Sequence, residues 1–293
     1  MPNSEINIDA LMPADMASKA EAIGIKKAGL DFWNMFALAI LAGAFIGCGA
    51  IYATTVWTGG GALPYGVNRL LGGLVFCLGL ILVVVAGAEL FTGNNLIVMA
   101  WAAGKVSTAK LLRNWGIVYL GNFVGSILTA VVMLLSKQYM FSKGALGLQA
   151  LNIANAKATL DPIQAFFLGI MCNALVCMAV WLCYSGRNVT DKILAIIFPI
   201  SAFVAAGFEH SVANMYFIPI GLFIKQFAPA SFWAADALAN ATPAAITAGS
   251  FANLTWGSFF LNNLIPVTLG NIVGGAGFVG LVYWFAYLRN KKA

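Results

Sequence analysis

Six apolar stretches dominate the chain, near residues 33–57, 67–103, 113–135, 161–184, 192–227 and 260–288. A helix that crosses a hydrocarbon core of roughly 30 Å needs about 20 apolar residues. The pattern therefore predicts an all-α integral membrane protein with six transmembrane helices. The second and fifth stretches are too long for one ordinary crossing, and polar residues interrupt both. Ahead of the first, Pro13 opens a segment that places Met16, Ala20 and Ile23 at i, i+4 and i+7. That spacing predicts an amphipathic helix over 13–28. The chain divides into an N-terminal segment (1–31), a six-helix membrane domain (32–288) and a short tail (289–293). Residues 1–31 hold no apolar core of the kind a cleavable signal peptide requires, so none is expected.

Composition agrees with the pattern. Hydrophobic residues make up 61% of the 293 and charged residues 9%, against soluble norms of roughly 45–50% and 25%. So few charges cannot cover a globular surface, which disfavours a soluble enzyme, a nucleic-acid binder and a disordered chain. The basic residues settle orientation. Lys19, Lys26, Lys27, Lys105, Lys110, Arg113, Arg187, Lys192, Arg289, Lys291 and Lys292 fall on one side, and Arg69, Lys137, Lys143, Lys157 and Lys225 on the other. The positive-inside bias places both termini in the cytoplasm. No C-x-x-C pair joins Cys48, Cys77, Cys172, Cys177 and Cys183, and there is a single histidine. No metal site and no cofactor are expected, and without a phosphate-binding G-x-x-x-x-G-K-[ST] loop neither is ATP drive.

The polar interruptions repeat. Ala86–Asn95 reads A-G-A-E-L-F-T-G-N-N and Ala206–Asn214 reads A-G-F-E-H-S-V-A-N, so Glu89 with Asn94 matches Glu209 with Asn214. Gly121–Gly125 and Gly270–Gly274 share G-N-x-V-G. Spans one to three and four to six therefore look like duplicated halves. An odd number of spans per half forces an inverted 3+3 repeat, in which substrate sites lie where helices break at the midplane. Glycine pairs at 43 and 47, 121 and 125, and 270 and 274 allow close helix packing.

Glu89 and Glu209 are the two acidic residues deep within spans, where carboxylates are costly and functional or paired. The expectation is that each accepts backbone N–H groups exposed by a broken helix. His210, at the fifth-segment break beside Glu209, is expected to line a pore. Thr92-Gly93 gives the second break a hydroxyl and a hinge. Lys157 reads as a loop residue ahead of the fourth span.

A-G-A-E-L-F-T-G and the stretch Gly169–Ala179 resemble the two signatures of the formate–nitrite transporter family. The likeness extends through Tyr184–Arg187, Gly207–Ser211 and Asn263–Thr268, nearly end to end. It implies a homopentamer in the lipid bilayer of a bacterial cytoplasmic (inner) membrane, each protomer aquaporin-like around its own pore. The implied substrate is formate with related small monovalent anions. Nitrite or hydrosulfide is the alternative within the family, and a neutral-solute channel a more distant one, disfavoured by the lack of Asn-Pro-Ala boxes.

By the same resemblance, His210, Thr92, Lys157, Asn173, Asn263, Glu209 and Asn214 handle the anion. Phe76, Leu80, Leu90, Phe91, Val176 and Phe203 form the constrictions, with Glu89 and Asn94 in support. The N-terminal helix is a candidate gate, or a docking segment for a cytoplasmic enzyme of formate metabolism.

Physics sets what such a pore must accomplish. Moving a carboxylate into a low-dielectric medium costs on the order of 20 kcal/mol, a barrier passing about 0.01 ions per second, whereas about 13 kcal/mol passes on the order of a thousand. Polar groups must replace water, or a proton from His210 must cancel the charge.

Overall fold

The computed structural model describes residues 10–241 and 244–290, so the ends of both terminal segments, 1–9 and 291–293, lie outside the described residues. Helix α1 (Pro13–Ala28) carries Pro13 in its first turn, where the missing N–H costs nothing. Asp31 then caps α2 (Phe32–Trp57) by accepting the Asn34 N–H at 3.0 Å. That bond holds the Asp31 carboxyl below its ordinary pKa. Helix α3 (Tyr65–Ile81) loosens into a π turn over Leu82–Gly87, after which Ala88 and Leu90 are extended. The helix restarts as α4 (Phe91–Asn94), passes through a 3-10 turn and continues as α5 (Val98–Ala102). Helix α6 (Thr108–Leu135) follows, capped by Ser107.

The second half runs alike. Helix α7 (Ala145–Ala158) precedes α8 (Pro162–Ser185), which Asp161 caps through the N–H groups of Ile163 and Gln164. Helix α9 (Val189–Ala206) starts at an Asn188–Asp191 capping box and stops at Gly207, whose φ of +78° is the left-handed C-cap that glycine suits. Helix α10 (Ser211–Phe227) resumes four residues later. Short helices α11 (Ala230–Trp233) and α12 (Asp236–Ala239) lead to a continuous helical run of α13 (Trp256–Ser258), α14 (Ile265–Ile272) and α15 (Val282–Tyr287), joined by π turns.

Among the described residues six helical stretches are long and apolar enough to cross a membrane: Phe32–Trp57, Tyr65–Gly87, Thr108–Leu135, Pro162–Ser185, Val189–Ala206 and Ala248–Tyr287. Helix α7 was not expected; its Gln149, Asn152 and Asn155 make it read as a polar loop, yet Leu151 and Ala154 are fully buried. The shared G-N-x-V-G motif has a steric cause. A Cβ on Gly125 would lie 2.0 Å from the Ile40 carbonyl oxygen of α2, and one on Gly274 would lie 2.1 Å from the Ile170 oxygen of α8. Both helix pairs touch backbone to backbone there. Helix α1 buries Met16, Ala17 and Ala20 against Leu96, Met99, Trp181 and Val279, so it is packed on the bundle.

Candidate functional site

The two helix restarts meet through one hydrogen bond. His210 caps α10, with Nδ1 accepting the Ala213 N–H at 3.0 Å. Its Nε2 lies 2.9 Å from Thr92 Oγ1 on α4. A backbone N–H only donates, so Nδ1 is the acceptor, the neutral ring carries its hydrogen on Nε2, and Thr92 Oγ1 receives it. Thr92 is fixed in turn, because its carbonyl accepts from Asn173 Nδ2 and Cys177 Sγ, each at 3.3 Å. Phe203 stacks on the imidazole at 5.8 Å between centroids.

Behind each restart lies the same four-residue arrangement. Lys27 Nζ contacts Glu89 Oε1 at 2.7 Å, Glu89 Oε2 accepts from Asn94 at 2.7 Å, and Asn94 donates to Asn114 at 3.0 Å. Asn114 closes the ring by donating to the Lys27 carbonyl at 3.1 Å. In the other half, Lys157 contacts Glu209 at 2.7 Å, Asn214 donates to Glu209 and to Asn263, each at 2.7 Å, and Asn263 donates to the Lys157 carbonyl at 3.0 Å. Both carboxylates are buried, so each needs its lysine; a buried charge stripped of its partner is strongly destabilising.

Two expectations are corrected here. The carboxylates accept from lysine and asparagine side chains rather than from freed backbone N–H groups. The first N–H of each restart, at Phe91 and Ser211, goes instead to Asn122 Oδ1 and Asn271 Oδ1, both at 2.9 Å. Each asparagine also donates to the carbonyl of the neighbouring glutamate. Lys157, too, is no loop residue; it sits in the last turn of α7, where the carbonyl end of a helix favours a cation.

Lys27 escaped the sequence reading, where it counted only towards orientation. A signal for it exists. Lys27–Asp31 reads K-A-G-L-D and Lys157–Asp161 reads K-A-T-L-D, the same distance ahead of α2 and α8.

Two cavities flank the His210–Thr92 contact. One of about 500 Å³ is lined by Lys157, Glu209, His210 and Asn214, with Phe76 and Phe203 at its floor. The other, about 540 Å³, is lined by Lys27, Glu89 and Asn94, with Leu80 and Leu90. Between them remains a void of about 10 Å³ walled by Phe76, Leu80, Leu90, Val176, Phe203 and His210. Of the predicted constriction residues only Phe91 lies elsewhere, edge-on to Tyr119 at 4.9 Å and Trp115 at 6.2 Å. Thr92, Asn173 and Asn263 are not among the residues lining either large cavity. Asn173 ties Thr92 to Asn95 and Asn271, and Asn263 ties Asn214 to Lys157.

The family model for formate/nitrite transporters matches residues 14–285. The chain belongs to the formate/nitrite transporter family. It is a multi-pass membrane protein of a family of transporters, not of enzymes. Within the formate/nitrite transporters it is 46% identical over 283 residues to the formate channel FocA of Escherichia coli (strain K12), covering 97% of this chain and 96% of that one. To the formate channel FocA of Haemophilus influenzae it is 42% identical, covering 95% of each. A solved pentameric formate channel with formate bound superposes with a TM-score of 0.81 at 49% identity, over 88% of this chain and 98% of that one. An ion channel of the same family superposes with a TM-score of 0.76 at 30% identity, over 93% and 98%.

Proposed function

We propose that this chain forms a homopentameric, pH-dependent channel for formate and related small monovalent anions, one pore per protomer. It would lie in the bacterial cytoplasmic membrane with both termini in the cytoplasm. The carrying observation is the histidine–threonine contact beside an apolar throat between two cavities, each lined by a lysine paired with a buried glutamate. The relatives named above as formate channels, and the pentameric structure with formate bound, support the substrate and the assembly.

The matched hydrogen-bond sets around Glu89 and Glu209 favour an inverted 3+3 repeat, with breaks after α3 and α9 meeting near the membrane midplane. On this reading Lys27 and Lys157 attract the anion at either mouth. His210, Thr92, Glu209 and Asn214 handle it, Asn173 and Asn263 hold those groups in place, and Phe76, Leu80, Leu90, Val176 and Phe203 exclude water. Helix α1 is a gate, docked on the cytoplasmic face.

His210 supplies the proton step. A proton taken up at Nδ1 displaces the Ala213 N–H, and Nε2–H then passes to the carboxylate in place of Thr92. Neutral formic acid crosses the apolar throat, and the ring returns to its capping tautomer by losing the Nδ1 proton and regaining one at Nε2. Purified protein in liposomes tests this reading. Labelled formate should enter faster at acidic than at neutral pH while glycerol stays excluded; glycerol entry without formate would point to a neutral-solute channel. Nitrite and hydrosulfide in the same assay rank the alternatives.

A further inference from the structure

Arg69, on the first turns of α3, reaches across to the end of α9. Its Nη2 donates to the Val204 carbonyl at 2.5 Å and its Nε to the Ala205 carbonyl at 3.2 Å. Its guanidinium lies over the Trp57 ring at 5.0 Å, and Trp57 is pinned by donating Nε1–H to the Asn68 carbonyl at 3.1 Å. Gly72 makes room for that indole, since a Cβ there would fall 2.0 Å from Trp57 Nε1. The fork is therefore held from two sides on the terminal carbonyls of a helix.

Those carbonyls matter because of where they are. Val204 and Gly207 line the cavity that contains His210, as Arg69 does. A helix C-terminus carries the equivalent of roughly half a negative charge, which opposes an anion approaching His210. Lys157 in the same cavity is already paired with Glu209, so Arg69 carries that cavity's uncompensated positive charge, a lining total of +1. The opposite cavity has Lys19, Lys26, Lys27 and Lys192 against Glu89, a total of +3. The His210 side thus adds one unpaired cation to Lys157, where the other side adds three to Lys27.

We propose that Arg69 is the anion-positioning residue of the His210-side cavity, covering the carbonyl end of α9 and drawing the anion towards His210. The proposal rests on the anion-channel reading. It is tested with Arg69→Lys, Arg69→Gln and Arg69→Met in liposomes, measuring formate entry through this mouth at low and high ionic strength. At low salt, Arg69→Met and Arg69→Gln should lose entry on the order of tenfold, the scale of electrostatic steering. The loss should shrink as salt shortens the screening length to about 8 Å or less. Arg69→Lys keeps the charge and should retain most of the rate.

Glutamine can still donate to the carbonyls, so wild-type rate and salt dependence in Arg69→Gln would overturn the proposal and leave Arg69 a structural clamp. Equal, salt-independent losses in all three variants would overturn it too. Should the variants fail to assemble, the wild type decides: its entry through this mouth should fall as salt rises, and salt-independent entry contradicts the proposal. Wild-type liposomes that carry no formate at all would instead refute the channel reading.

Discussion

Leu90 and His210 hold matching posts. Each is the last residue before a helix restarts, with φ −106° and ψ 124° at Leu90 and φ −110° and ψ 114° at His210. Both face the same narrow throat. Leu90 makes no side-chain cap bond, whereas His210 caps its own helix through Nδ1. The two breaks therefore share a backbone geometry and differ in chemistry, an aliphatic side chain at the α4 restart and a capping imidazole at the α10 restart.

Removing a lysine should hurt assembly as well as flux. Lys157→Met leaves Glu209 buried without its cation, and Lys27→Met does the same to Glu89. A loss of the order of 3 kcal/mol is expected for each, read as a clear fall in melting temperature of the detergent-solubilised protein. The double variant Lys157→Met with Glu209→Gln should recover stability while formate entry stays low. If it recovers both, Lys157 serves only the fold.

Helix α1 is packed on the bundle and also supplies Lys27. The segmental division alone would let residues 1–28 be deleted with the membrane domain intact. The packing and the Lys27–Glu89 pair predict a less stable protein with altered flux. An unchanged melting temperature after deletion would show that α1 is an appendage.

Gly125→Ala and Gly274→Ala each drive a methyl into a backbone carbonyl oxygen across a helix contact. Overpacking of this kind costs about 1–3 kcal/mol or more, and neither carbonyl can swing aside as a side chain would. Both variants should express poorly or melt early, whereas Gly116→Ala on α6, with open space around it, should be neutral. Equal behaviour of the three would contradict the close approach of α6 to α2 and of the π turn after α14 to α8.

Native mass spectrometry in mild detergent should report a pentamer. A stable monomer or trimer would contradict the proposed assembly.

Much of this was legible because polar residues inside apolar spans have few explanations. Glu89, Asn94, Glu209, His210 and Asn214 stood out against their surroundings, and all lie in the two matched clusters or at the throat. What escaped notice was polar where polarity is ordinary. Lys27 and Asn114 sit near span ends, where a charge or amide reads as a membrane-edge residue. Asn122 and Asn271 stand in G-N-x-V-G, where the glycines account for the motif by packing and nothing local marks that each asparagine takes the first N–H of a restarted helix. Helix α7 was missed because its cavity-facing side carries Gln149 and Asn152, which thins the apolar periodicity that marks a helix. The family resemblance alone puts Phe91 with the constriction residues; in the structure the α4 restart packs it on Tyr119.

The decisive measurement is the pH profile of formate uptake into liposomes by the wild type and by His210→Asn. Asparagine can still accept the Ala213 N–H, but it cannot titrate as histidine can. On the proposed mechanism each anion crosses with a proton handed over at His210, so wild-type uptake should rise as the outside is acidified. His210→Asn should lose that rise and keep at most a pH-independent anion leak. A His210→Asn protein that imports formate at the wild-type rate, with the wild-type pH profile, would contradict the proton step and leave His210 as a helix cap that shapes the throat.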